Sequence, residues 1–265
     1  MSAKRVKEKL AGGERVFGMF MHYVNNPAIV EILPDEGLDF VIVTAEHNAL
    51  DLADFLGLQF ALHSKGIACL ARIHGRSFDD VCKCCDAFPD GVVIPYAEDV
   101  EELKRLVAGA KYRPLKGAAL ERLIVTGEWP SEKTRAYVQA KCANTLCCPM
   151  IESVQAIKDL DALCSIPGID AVFVGPNDLT VSMGIPEERD NQAFVDAIQR
   201  IVDTAERHGI AAGAHFSNPA HSERLIRQGG RFIPFSSDAR HIQVGVAESL
   251  KRLRGAAAGV EEKVI

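Results

Sequence analysis

The sequence predicts an α/β protein, a (β/α)8 TIM barrel, on three observations. Eight short apolar runs rich in β-formers recur along the chain, and helical stretches alternate with them. Several runs are almost continuously apolar, as strands covered on both faces are. The length of 265 residues suits one barrel, which typically needs about 250. A doubly wound open sheet is the alternative use of the same alternation. The expectation is one domain over residues 1–265.

The predicted strands are Phe17–Met21, Asp39–Glu46, Ile67–Ile73, Gly91–Tyr96, Leu146–Ser153, Ala171–Asp178, Ala211–Phe216 and Arg231–Asp238. Between the third and fourth, Ser77 precedes Phe78, Val81, Cys82 and Cys85, an N-cap followed by one apolar stripe. Val100, Leu103, Leu106 and Val107 repeat that spacing before the fifth strand. Phe194, Ile198, Ile201, Val202 and Ala205 repeat it before the seventh, with Gly209 as a C-cap. Asn218-Pro219 reads as N-cap and first helical residue. The stretches 115–144 and 180–190 exceed ordinary connections, which points to function or extra helix.

The composition is that of a folded chain: 48% hydrophobic, 25% charged and mean hydropathy +0.03. Net charge is -6 with no long basic stripe, so a nucleic-acid partner is not expected. No apolar run spans a bilayer, and the charged N-terminus lacks a signal core. Among the 8 Cys, Cys84-Cys85 and Cys147-Cys148 are adjacent, which does not suit a disulfide framework. Reduced, buried thiols in a cytoplasmic protein are expected.

Chemistry in such barrels sits where strands end. The second predicted strand ends in Glu46-His47, the third near Arg72, the fifth in Glu152 and the seventh near His215. The sixth runs into Gly175-Pro176-Asn177-Asp178. Glu152 and Asp178 follow neighbouring strands. Two close carboxylates repel unless a cation or proton lies between them, and oxygen ligation suits Mg²⁺ or Mn²⁺. Two unrelated strand-end caps explain the same residues. Arg72 offers a planar donor fork for a carboxylate or a developing enolate, or a rim salt bridge. His47 is a general acid/base or a structural imidazole. His22, His74 and His215 fit packing or specificity roles. A rival set, His47 and His215 with one carboxylate, would point to zinc and hydrolysis.

No lysine falls inside a predicted strand, and Lys65 lies at the wrong end of one. This argues against imine chemistry. No GxGxxG follows a strand, and the last two strand ends lack a glycine-rich phosphate loop, so dinucleotides and phosphorylated substrates are not expected.

Three stretches resemble the HpcH/HpaI family of metal-dependent, pyruvate-specific class II aldolases. This family includes 4-hydroxy-2-oxoheptanedioate and 2-dehydro-3-deoxyglucarate aldolases. Gly37-Leu38-Asp39-Phe40 leads to Glu46-His47. Met150-Ile151-Glu152-Ser153 continues into Val154-Gln155-Ala156. Phe173-Val174-Gly175-Pro176-Asn177-Asp178-Leu179 is followed by Ser182-Met183-Gly184 and is the most specific. The resemblance implies that Glu152 and Asp178 hold a divalent ion, Mg²⁺ or Mn²⁺, with Co²⁺ or Zn²⁺ as alternatives. It implies that Arg72 steadies the enolate and that amides around Gly175, Asn177 and Asp178 hold the carboxylate of a 2-oxo acid. His47 would move protons, and Asp86 would support it across a subunit interface. A homohexamer, a trimer of dimers with exchanged C-terminal helices, is implied as well.

The chain departs from the pattern in three places. Thr44 replaces an Asp three residues before His47, which removes a partner that would orient the imidazole. Ala87-Phe88-Pro89-Asp90 replaces a glycine-rich turn, and His22 and His215 stand where the pattern has no histidines. The expected activity is reversible cleavage of a 4-hydroxy-2-oxo acid to pyruvate and an aldehyde. An oxaloacetate decarboxylase on the same site and a barrel that only binds are the alternatives.

Overall fold

The computed structural model describes residues 2–34, 36–44 and 50–261. Its eight strands are β1 (Val16–Met21), β2 (Phe40–Thr44), β3 (Ala68–Arg72), β4 (Gly91–Ile94), β5 (Leu146–Ile151), β6 (Ala171–Val174), β7 (Ala211–Ala214) and β8 (Phe232–Ser237). All pair in parallel, in sequence order, and β8 closes on β1. The helices through the fifth strand are α1 (Ser2–Ala11), α2 (Leu56–Ser64), α3 (Phe78–Ala87), α4 (Val100–Lys111), α5 (Gly117–Thr126) and α6 (Glu132–Cys142). Those after it are α7 (Val154–Lys158), α8 (Leu160–Cys164), α9 (Pro176–Ser182), α10 (Gln192–Arg207), α11 (Pro219–Arg227) and α12 (Asp238–Glu261). The (β/α)8 barrel is therefore present, and the open sheet is excluded.

The caps follow the sequence. Ser77 forms a reciprocal capping box with Asp80 at α3, and Asn218 caps α11 with Pro219 as its first residue. The long stretch 115–144 holds α5 and α6. Several predicted strands end earlier than expected, β4 at Ile94, β5 at Ile151 and β7 at Ala214, and the largest correction is at the sixth. The sixth strand stops at Val174, because Pro176 has no amide to extend a ladder and begins α9 instead. Glu46 and His47 lie outside the described residues.

Inward side chains fill the barrel. Phe20, Phe40, Leu70, Met150, Phe173 and Phe232 form one buried cluster with Ala3, Val6 and Leu10 of α1. Phe40 and Phe232 stack with centroids 4.4 Å apart. A side chain at Gly18 would enter the Phe40 ring, its Cβ 2.3 Å from a ring carbon, so only glycine admits that ring. Outward residues such as Val41, Val92 and Val172 pack under the helices.

α1 plugs the end of the barrel where the strands start. Its apolar stripe enters the barrel, and its polar residues meet three buried or nearly buried aspartates at strand starts. Lys9 lies 2.7 Å and Arg5 3.8 Å from Asp39. Lys7 lies 3.1 Å from Asp170, which also pairs with Lys111 at 2.6 Å. Ser2 donates to Asp90 at 3.2 Å, and His63 contacts the same carboxylate at 2.5 Å.

Candidate active site

Strand alternation delivers the site. The inward position beyond a strand's last packed residue projects over the mouth. His22 follows Phe20 by two residues, Arg72 follows Leu70, Glu152 follows Met150, Gly175 follows Phe173 and His215 follows Gly213. All five, with Asn177 and Asp178, line one cavity of about 440 Å³.

The acid pair is set by the β5–β6 register. Ile151 pairs with Val174, which brings the next residues, Glu152 and Gly175, side by side. Glu152 is only 5% exposed, and its Oε2 accepts the Tyr96 amide at 3.0 Å. Tyr96 has φ 53°, a left-handed conformation that an aromatic residue adopts at a cost and that aims its amide inward. A Cβ at Gly175 would stand 2.1 Å from Glu152 Oε1, so glycine leaves the carboxylate its space. Asp178 lies in the first turn of α9, exposed to the cavity, with no side-chain hydrogen bond to the described residues.

These features fit a hard divalent ion. One carboxylate is buried and oriented, a second is open, and a glycine keeps the space beside the first clear. Among the described residues no group of three or more His, Cys, Asp or Glu could hold a metal. Two carboxylates with water completing the shell is the arrangement expected of Mg²⁺ or Mn²⁺. No zinc triad arises from His215 and the carboxylates; His47, its other proposed member, lies outside the described residues.

The β2–β3 register pairs Thr44 with Arg72. Arg72 Nε donates to Thr44 Oγ1 at 3.1 Å, and the guanidinium stands 5.8 Å from the centre of the Phe20 ring. Thr44 is fully buried. It therefore orients the arginine fork, a role the sequence comparison with an Asp at this place did not reveal.

His215 packs against Phe20 at 4.6 Å, and its Nε2 lies 2.9 Å from the Ser236 carbonyl. A carbonyl only accepts, so the neutral ring carries its proton on Nε2 and leaves Nδ1 as an acceptor. Burial lowers its pKa to about 4, with His22, Arg72 and Arg189 adding to the effect. An unfolded histidine titrates near 6.5. The folded value is depressed, so this contribution is complete above about pH 6.5 and is lost as pH falls toward 4. The fall is on the order of 3 kcal/mol. Urea unfolding across that window should show it, and His215→Gln should flatten it. An unchanged pH slope in the variant would refute the assignment.

Some predicted residues lie elsewhere. Asp86 lies in the last turn of α3 with a 74% exposed side chain that pairs with Arg113 at 3.0 Å, and it does not reach the cavity of its own chain. His74 is exposed and does not line the cavity. Sequence reading missed Arg189, His221 and Arg240, which do line it. Asn177 accepts a hydrogen bond from Arg189. The eight thiols are free and buried, as expected, and burial pushes Cys84 up to about 12.

A (β/α)8 barrel whose strand ends gather two carboxylates and an arginine at one mouth defines an enzyme of the barrel class. The chain belongs to the HpcH/HpaI aldolase/citrate lyase family, which its residues 17–243 match. It is 26% identical over 254 residues to the 5-keto-4-deoxy-D-glucarate aldolase of Enterobacter sp. (strain 638), covering 94% of this chain and 97% of that one. The aldolase of the same name from Escherichia coli O139:H28 (strain E24377A / ETEC) is 27% identical over 218 residues, covering 81% and 83%. A solved HpcH/HpaI aldolase from Desulfitobacterium hafniense DCB-2 superposes with TM-score 0.81 at 27% identity, covering 94% and 96%.

Proposed function

We propose that this single-domain chain is a divalent-metal-dependent pyruvate aldolase. It cleaves a 4-hydroxy-2-oxo acid to pyruvate and an aldehyde, and it runs the reverse addition. The carrying observation is that Glu152, Asp178 and Arg72 converge on one cavity at the strand ends, with Gly175 clearing the space beside Glu152. Glu152 and Asp178 would hold the ion, Mg²⁺ or Mn²⁺ in the first instance. When bound, it supplies Lewis-acid polarisation of the 2-keto group.

The chain's own groups do the rest. First-turn amides of α9, from Asn177 and Asp178, lack helical acceptors and face an anion well. They take the substrate carboxylate beside Gly175. His47 removes the 4-hydroxyl proton, through water, as the C3–C4 bond breaks. The bond's electrons pass toward C3 and the 2-oxo oxygen, where the Arg72 fork shares the charge. C3 then takes a proton to give pyruvate. Asp86 of a neighbouring copy supports His47.

Assembly as a homohexamer, a trimer of dimers with α12 exchanged, fits the side chains that α12 leaves exposed: Ile242, Val246, Leu250 and Leu253. Among the described residues no helix is long and apolar enough to cross a membrane. With eight unpaired thiols, we read the chain as cytoplasmic.

The test is a panel of 4-hydroxy-2-oxo acids with coupled pyruvate detection, run with Mg²⁺, Mn²⁺, Co²⁺ and Zn²⁺. Wild-type chain should release pyruvate, and Arg72→Met should lower kcat/KM by about 10²- to 10³-fold. No pyruvate from any substrate with any ion would sink the proposal.

A further inference from the structure

Three arginines line the mouth, and the roles given so far use only Arg72. Arg189 comes from the loop between α9 and α10. Its guanidinium donates to Asn177 Oδ1, one residue from Asp178. Among the described residues that is its single hydrogen-bond acceptor, and no carboxylate lies within ion-pair distance of it. A guanidinium carries five donors, so most of its capacity is not taken by the described protein acceptors.

The loop is built to hold this side chain in place. Arg224 of α11 donates to the Arg189 carbonyl at 2.5 Å and to the Asp190 carboxylate at 2.7 Å. His221 contacts the same carboxylate at 3.3 Å. Thr180 Oγ1 accepts the Glu187 amide at 3.2 Å, and Glu187 has φ 64°, the left-handed region. Asp190 is held by two partners, which leaves it engaged with α11 and not with Arg189. A strained, clamped loop that presents an arginine short of acceptors is the arrangement of a preorganised anion receptor.

We propose that Arg189 is a binding residue for the 1-carboxylate of the 2-oxo acid. This rests on the proposed function above. In the reading above, the 1-carboxylate lies against the Asn177 and Asp178 amides, beside the side chain on which Arg189 is docked. Arg189 is docked on Asn177, the neighbouring residue, whereas Arg72 stands across the mouth on β3. The two arginines therefore divide the anion, Arg189 at the carboxylate and Arg72 at the keto oxygen. Every substrate keeps the 1-carboxylate whatever aldehyde it releases. The effect of losing Arg189 should thus be uniform across substrates.

The experiment compares wild type with Arg189→Met and Arg189→Lys. Calorimetry with Mg²⁺ reads the affinity for pyruvate itself, with no turnover required. Affinity should fall roughly tenfold or more in the Met variant. It should recover only in part with Lys, which keeps the charge but loses the planar fork. In the cleavage panel KM should rise by a similar factor for neutral and anionic aldehyde halves alike, with kcat changing less. Unchanged pyruvate affinity in Arg189→Met would overturn the assignment. So would a KM increase confined to substrates with an anionic aldehyde half, which would place Arg189 at the far end of the substrate. Failure of the aldolase reading is separate: wild type would then cleave no 4-hydroxy-2-oxo acid, while the pyruvate titration would still score Arg189.

Discussion

Glu152→Ala should abolish metal-dependent cleavage, a loss on the order of 10³-fold or more, since removing a single transition-state donor already costs 10²- to 10³-fold. Glu152 is the buried member of the acid pair, and the Tyr96 amide at 3.0 Å fixes its orientation. Asp178 alone would leave the ion with one exposed carboxylate. The loss should also appear without turnover, as a weakened Mn²⁺ titration by calorimetry. Glu152→Gln separates charge from shape, because the amide oxygen can still accept from Tyr96 while the negative charge is gone. It should bind Mn²⁺ weakly and stay folded in a thermal melt. Full cleavage by Glu152→Ala in the presence of a chelator would remove the metal mechanism altogether.

Gly175→Ala should be nearly as damaging, although the added group is a single methyl on a residue with no chemistry of its own. Its Cβ would lie 2.1 Å from Glu152 Oε1 and 2.9 Å from the carboxylate carbon. Both sit far inside van der Waals contact, so the carboxylate must swing away from β6. The backbone conformation is ordinary for alanine, φ -88°, so the fold itself should tolerate the change. The expected result is a loss of about 10²-fold or more in kcat/KM, since small misplacements of a site carboxylate are amplified in rate. A Tm close to wild type should accompany it. Activity within a factor of two of wild type would mean that Glu152 does not work in the position seen here.

The architecture was readable because it is periodic. The inward alternation of β1, β3, β5, β6 and β7 put His22, Arg72, Glu152, Gly175 and His215 at the mouth without any motif. Thr44 was visible as a replaced residue, yet its bond to Arg72 depends on the register between two strands, which no single segment encodes. Arg189, His221 and Arg240 were not legible. They arrive from a loop, a helix start and α12, where no two-residue repeat says which way a side chain points. The end of the sixth strand was misplaced by carrying the apolar run across Pro176, whose missing amide marks the start of α9. Arg189 carried a weak signal: an arginine in an unusually long connection after the most specific motif.

The α1 plug changes how the chain's acidity should be read. Asp39 and Asp170 are counted in the net charge of -6, yet each is matched at short range by a lysine from α1 or α4. Closely matched charges form local dipoles whose fields die away within a few ångströms of water and salt. An approaching anion therefore does not meet a uniformly repellent particle. At the mouth it meets three arginines that line the same cavity as two carboxylates. The capture rate of a small acid should follow the polarity of that single face, and total charge will be a poor guide to it.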